Sequence, residues 1–239
     1  MRKIFVIVLV ISCIASCDKE DGGIVMKNKY MQGILLEMYD KNKDGILSKE
    51  EALAVTEINV ILSKEPIDGL ENFPNVEIII VNGGKFDKLD VSMCKKLKKL
   101  YCIQNKLKIL DLSANLELEE LVCYDGELTY IDVRGLLNLK ILNCYDNKIK
   151  FLDIKNTNNL RTICCDNNKL THLYLSSSPQ LEELSCDRNF IETLDISNNL
   201  NLRALWCYGS ENFLHTLFMK EGQTVEKLAI NSSVKIVYR

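Results

Sequence analysis

Six oxygen donors fall in a fixed rhythm between residues 40 and 51: Asp40, Asn42, Asp44, the Ile46 carbonyl, Ser48 and Glu51. Alternate positions of a twelve-residue loop, closed by a carboxylate at its last, can wrap a hard divalent cation of calcium's size. Gly45 stands where such a loop turns sharply and a side chain would obstruct it. A second chemistry sits at Cys17, whose thiol follows the small residues Ala15 and Ser16 and is placed to accept a lipid. A third is carboxylate chemistry, since Asp125/Asp146 and Asp166/Asp187 are two pairs with the same internal spacing. Carboxylates on neighbouring strand positions lie ~5 Å apart, the separation used by retaining glycosidases.

These residues need elements to hold them. Tyr30, Ile34, Leu35 and Met38 share one helical face before the oxygen-rich loop, and Ala52, Leu53 and Val55 follow it. The spacing predicts a helix–loop–helix over 26–57. Beyond it the chain is a repeat. Leu89, Leu110, Ile131, Leu152, Leu173 and Leu194 are each 21 residues apart, and Leu217 follows after 23. The unit Leu97-x-x-Leu100-x-Cys102-x-x-Asn105-x-Leu107-x-x-Leu110-x-Leu112 recurs through Cys123, Cys144, Cys165, Cys186 and Cys207, and a Cys-less copy precedes it at Val76, Ile79 and Val81. No single unit can bury its apolar face alone, so the units must stack into a solenoid with a parallel sheet. In that stack the six cysteines form a column of buried thiols acting as small hydrophobes, not disulfides. Asn105, Asn147, Asn168 and Asn189 stand where the chain leaves each strand and can bond its main chain. Gly126 and Ser210 break that series, and bonding there is expected to be local or water-mediated.

The repeating residues resemble the leucine-rich-repeat family over residues 58–239. The resemblance implies a right-handed solenoid with 21-residue repeats and an extended convex side. The 40–51 loop resembles an EF-hand, giving a small α-helical, EF-hand-like N-terminal cap. A lone loop of this kind lacks the partner loop it would pair with across Leu47, so one weak structural Ca2+ is expected, with Kd on the order of 10⁻⁴–10⁻³ M. At the N-terminus, Arg2-Lys3, the apolar run Ile4–Ile14 and Ala15-Ser16-Cys17 resemble a bacterial lipoprotein signal. The expected order is a signal peptide over 1–16, lipidated Cys17 and a flexible tether over 17–25, the cap over 26–57, and the repeats over 58–239 with a C-terminal capping strand at Lys235 to Tyr238. The whole looks like the internalin-like repeat lipoproteins of Gram-negative gut anaerobes. That implies an exported protein, lipid-anchored to the outer membrane and exposed at the surface.

Outward strand positions define a candidate binding face: Tyr101, Tyr124 and Tyr145, then Asp125, Asp146, Asp166 and Asp187, then Trp206 and Tyr208. Exposed aromatics beside carboxylates suit a protein or glycan partner. The alternatives are a non-selective envelope scaffold and a glycoside hydrolase using paired Asp, although an open sheet face offers no walls to exclude water. With only two His and no phosphate-cradling loop, the chain is read as no enzyme. Its net charge of −3, with no dense basic block, gives no footprint for nucleic acid. At 47% hydrophobic and 26% charged residues, the composition excludes wholesale disorder.

Overall fold

A computed structural model describes residues 23–61, 67–84, 86–209 and 213–239. The expected signal segment, Cys17 and Ser210 lie outside the described residues. Two α-helices come first among the described residues, α1 (Lys29–Tyr39) and α2 (Lys49–Leu53). Strands follow in the order β1 (Glu57–Ile61), β2 (Ile78–Asn82), β3 (Lys99–Tyr101), β4 (Ile109–Asp111), β5 (Glu120–Val122), β6 (Tyr130–Asp132) and β7 (Ile141–Asn143). The remainder are β8 (Thr162–Cys164), β9 (Glu183–Ser185), β10 (Thr193–Asp195), β11 (Ala204–Cys207), β12 (Thr216–Met219), β13 (Lys227–Ile230) and β14 (Lys235–Tyr238).

Nine strands form one parallel sheet, ordered β1-β2-β3-β5-β7-β8-β9-β11-β13. Its register sets Leu100 on Leu121, Leu121 on Leu142, Leu142 on Ile163 and Ile163 on Leu184. Residues one repeat apart therefore lie directly over each other, and all of these side chains are buried. The opposite wall is extended as expected but is also paired into short parallel sheets, β4-β6 and β10-β12-β14. Between the walls the columns of Leu100, Cys102, Leu107, Leu110 and Leu112 fill one continuous core. A leucine so enclosed contributes ~1.5–3 kcal/mol, which only stacked neighbours make available.

The repeat begins earlier than its leucines do. Val55, Ile58 and Val60 stand 21 residues before Val76, Ile79 and Val81, and β1 pairs with β2 as Ile58↔Ile79 and Val60↔Val81. Thus 58–60 is the first turn of the solenoid itself, and only the helices cap it. The 23-residue lap before Leu217 does not disturb the register, since Leu194↔Leu217 and Leu205↔Leu228 still align.

A second buried column was hidden by its changing residue types. Phe73, Cys94, Asn115, Leu136, Thr157, Ser178 and Asn199 follow at 21-residue steps and are all buried. Asn115 Nδ2 donates to the Val91 and Cys94 carbonyls, both at 2.9 Å. Asn199 repeats this on Leu175 and Ser178, at 3.1 and 2.8 Å. Each amide thus bridges two carbonyls that the preceding lap's turn exposes.

Candidate functional site

The oxygen-rich loop joins α1 to α2. Asn28 caps α1 by accepting from the Tyr30 and Met31 amides, and Ser48 caps α2 in a reciprocal capping box with Glu51. Asp40 Oδ1 accepts from Lys43 N at 2.7 Å and its Oδ2 from Gly45 N at 2.8 Å. Asp44 Oδ1 accepts from Ile46 N at 2.8 Å, and Glu51 reaches back across the loop to Lys41 N at 2.8 Å. Lys43 and Gly45 take positive φ, 59° and 82°. Main-chain donors, first Ser48 N, hold Glu51 below its ordinary carboxylate pKa. Among the described residues no three His, Cys, Asp or Glu side chains are set to hold a metal by themselves. The loop's donors also include amide, hydroxyl and carbonyl oxygens, an all-oxygen set that fits calcium's chemistry.

The segment before α1 packs against this loop. Ile24 N donates to Leu47 O at 2.8 Å, and Gln32 Nε2 reaches Ile24 O at 3.5 Å. The last residues of the expected tether are thereby fixed beside the loop. Met26 is buried beneath them. A cavity of about 480 Å³ lies on the other side, lined by Met38, Tyr39, Glu51, Val55 and Glu57 among others.

On the sheet face the predicted residues separate into three columns. Tyr124 and Tyr145 stack with ring centroids 4.4 Å apart and planes at 15°. Asp166 and Asp187 continue that column, and Tyr208 ends it. Tyr101 belongs to the neighbouring column with Trp206 and joins no ring stack among the described residues. Burial, followed by its hydrogen bond to Glu120, pushes the Tyr101 phenol up to about 12. Trp206 and Tyr208 share an end of the face without ring contact, and Tyr208 is 59% exposed. Asp125 and Asp146 occupy the third column, where Gln104, Asp125, Asp146, Asn167 and Arg188 all take φ between 50° and 58°. The left-handed region suits Asp and Asn better than Arg or Gln, so Arg188 and Gln104 carry more backbone strain.

Hydrogen bonds fix the four carboxylates. Gln104 Nε2 donates to Asp125 Oδ2 at 2.9 Å, and Asn167 Nδ2 donates to Asp146. Ser185 Oγ donates to both Asp166 oxygens at 2.7 and 2.8 Å, while Asp187 N donates to Asp166 at 2.7 Å. The Tyr208 amide donates to Asp187. Burial, offset in part by that amide and reinforced by the Asp166 charge, raises the Asp187 pKa above its ordinary value. Both Asp166 oxygens are thus engaged in hydrogen bonds within the fold.

Beneath the face, the cysteine column holds. Cys102, Cys123, Cys144, Cys165, Cys186 and Cys207 form no disulfide and have no solvent exposure. Burial pushes the Cys144 and Cys165 thiols well above their ordinary range. Cys164 faces outward and half-buried, its Sγ 3.3 Å from Asp166 Oδ2. The expected asparagine series binds successive laps together: Asn168 Nδ2 donates to Cys144 O at 2.9 Å and Cys165 O at 3.1 Å, and its Oδ1 accepts from Ile149 N at 2.9 Å. Asn147 and Asn189 do the same one lap before and after. Gly126 makes room, since a Cβ there would come within 2.8 Å of Asn147 Oδ1. Without an amide on that lap, Leu107 N turns to its own Asn105 at 2.9 Å, the local bonding expected. His172 and His215 are exposed on the back wall.

No family model matches the sequence. No curated protein matches it either. Among solved structures, the leucine-rich repeat domain of APL1B superposes with a TM-score of 0.52 at 17% identity, covering 90% of this chain and 77% of that one. The fold is a leucine-rich-repeat solenoid. Internalin C2 from Listeria monocytogenes gives 0.49 at 20% identity, over 79% of this chain and 92% of that one. The functional domain of InlJ from Listeria monocytogenes, described as including a cysteine ladder, gives 0.48 at 18% identity over 80% of this chain. This leucine-rich-repeat chain spans 56% of that domain's length.

Proposed function

We propose that this chain is a recognition module whose nine-stranded sheet face takes a protein or glycan partner. The observation that carries the reading is the Tyr124–Tyr145 stack, set on an unpartnered face that also presents the only Trp. Rigid aromatic side chains give large contact area at low entropic cost, which is why they anchor interfaces. The module acts by binding, not turnover, because the Asp166 carboxylate is spent on Ser185 and the face is open to water.

In the same reading, the chain is a surface lipoprotein held in the outer membrane through Cys17. Residues 26–57 form an EF-hand-like cap holding one weak structural calcium through Asp40, Asn42, Asp44, Ile46, Ser48 and Glu51. When bound, the ion would cross-link α1 to α2. The solenoid over 58–239 then stands on a capped first lap.

Pull-down from host and bacterial extracts, alongside a glycan array, tests the reading. Trp206→Ala combined with Tyr145→Ala is expected to abolish capture without lowering Tm. Retention of the same partner by that double variant would overturn it. Failure to capture anything selectively would instead favour a scaffold role, and turnover of a glycan lost in Asp166→Asn would favour a hydrolase.

A further inference from the structure

Ion pairing is distributed unevenly over this molecule. Along the rim where each lap enters the sheet, Lys98 pairs with Glu77 at 3.0 Å, Lys140 with Glu119 at 2.6 Å and Arg161 with Glu182 at 2.8 Å. Lys99 pairs with Glu120 at 3.3 Å at the edge of the face. Glu127, Asp132 and Asp195 likewise meet Lys or Arg. Among the described residues, none of these ion pairs uses Asp125, Asp146, Asp166 or Asp187. Their partners are neutral donors: a Gln amide, an Asn amide, a Ser hydroxyl, a thiol and two main-chain N–H groups.

That arrangement fixes charge without an ion pair to cancel it, with Arg188 alone acting on Asp187 from a distance. Asp125 uses Oδ2, Asp146 Oδ1 and Asp187 Oδ1 for their intramolecular bonds. The other oxygen of each carboxylate meets no donor among the described residues. Each carboxylate is therefore pre-oriented, with one acceptor left over, and pre-orientation lowers the entropic cost of binding. The stacked Tyr124 and Tyr145 rings lie in the same column as Asp166 and Asp187, each ring one residue before Asp125 or Asp146. Negative ring faces beside unneutralised carboxylates complement a guanidinium or ammonium group, Arg above all.

We propose that the partner segment seated on this face is a basic stretch of polypeptide, its Arg or Lys side chains meeting Asp125, Asp146 and Asp187 and lying over the Tyr124–Tyr145 pair. The inference rests on the recognition reading above and specifies the chemistry of the partner. Parallel strands ~4.8 Å apart space neighbouring carboxylates more closely than the ~6.7 Å between same-face side chains of an extended peptide, a difference that long, flexible Arg and Lys side chains span. Arg188 bounds the acidic strip on the last lap and would repel a segment running past it.

The test uses three labelled peptides of equal length, alternating Arg-Ser, Glu-Ser and Gln-Ser, titrated by fluorescence anisotropy into the whole protein. The Arg-Ser peptide is expected to bind alone, with affinity falling as salt is raised. Asp125→Asn, Asp146→Asn and Asp187→Asn are each expected to weaken it up to about fivefold, the scale of an exposed ion pair. Asn tolerates the left-handed backbone at 125 and 146, so these variants keep the fold, which an unchanged Tm verifies. Equal binding of the Glu-Ser or Gln-Ser peptide, no binding of the Arg-Ser peptide, or Arg-Ser binding indifferent to all three substitutions would overturn the inference. The same Asp→Asn variants in the capture assay separate the two readings. Capture that needs Tyr145 and Trp206 but ignores the aspartates leaves recognition standing and removes the basic partner, whether a glycan or a neutral protein is found. Capture indifferent to all of them removes both.

Discussion

Replacing Asn168 with Ala removes the amide that ties two neighbouring laps together, and the hydrogen-bond geometry fixes what it should cost. The Cys144 carbonyl keeps a second donor in Asn147, and the Cys165 carbonyl keeps one in Asn189. Those losses are partial, about 0.5–1 kcal/mol each. The Ile149 N–H has no such reserve, because Asn168 Oδ1 is its acceptor in a buried setting. An orphaned buried donor costs about 1–3 kcal/mol. The sum is roughly 2–5 kcal/mol, or on the order of 10 °C in Tm for a chain of this size. Urea and thermal melts followed by circular dichroism measure it, with Asn143→Ala as control. Asn143 lies on the open face, its Oδ1 meeting Tyr145 N only at 3.4 Å, and should cost within about 0.5 kcal/mol. Hydrogen exchange adds a local readout, since Ile149 N–H should lose protection first. If Asn168→Ala costs no more than Asn143→Ala, the asparagine series is not what holds neighbouring laps together.

Three further outcomes follow from the geometry. Millimolar calcium should raise Tm, chelator should reverse the rise and Glu51→Gln should eliminate it; at ten times Kd the gain is about 1.4 kcal/mol, and identical melts would refute the site. The Arg134 guanidinium bonds Asp132 and holds its carboxyl down at about 2, so this pair stabilises the fold above the unfolded carboxylate pKa of about 3.9 and the benefit is lost as pH falls toward 2. Arg134→Met should therefore flatten the dependence of Tm on pH between those limits, and an unchanged slope would count against the pair. Iodoacetamide applied to the native protein should label Cys164 alone of the eight described cysteines, and slowly, since burial and then the Asp166 charge push its thiol up to about 12. Native labelling of Cys123 or Cys165, mapped by mass spectrometry, would contradict a sealed thiol column.

Periodicity made most of this molecule legible. Cys102 and its equivalents recur at one spacing because one geometric slot recurs, and the register Leu100↔Leu121↔Leu142 follows from it. What escaped was information that periodicity of residue type does not carry. Cys94, taken by itself, stands off the cysteine series, yet it shares a buried column with Asn115, Thr157 and Ser178. That slot selects for size and for reach to a neighbouring carbonyl, and residues as different as Asn and Leu satisfy it. Val55, Ile58 and Val60 keep the period but lack leucine and cysteine, so the residue types that mark the later laps do not mark this one. Ile24 bonding Leu47 O is a single long-range event with no repeat to announce it. On the face, Tyr101 stands two strand positions before the column of Tyr124 and Tyr145, so it shares their face but not their stack, and the ring stacking itself is what the period does not announce.

The two ends of the solenoid are not equivalent. Helices and the buried Met31 and Leu35 close the first lap, whereas Leu228, Ile230 and Ile236 in the last strands remain partly exposed. Under a pulling force applied across the chain, β14 and β13 should detach first, and the structure should then peel one lap at a time toward the helices. A force trace from such a pull would be a sawtooth of small, evenly spaced steps, each releasing about one repeat's length of chain. The asparagine bridges set the height of the teeth, and the lap that lacks one at Gly126 should give the weakest tooth.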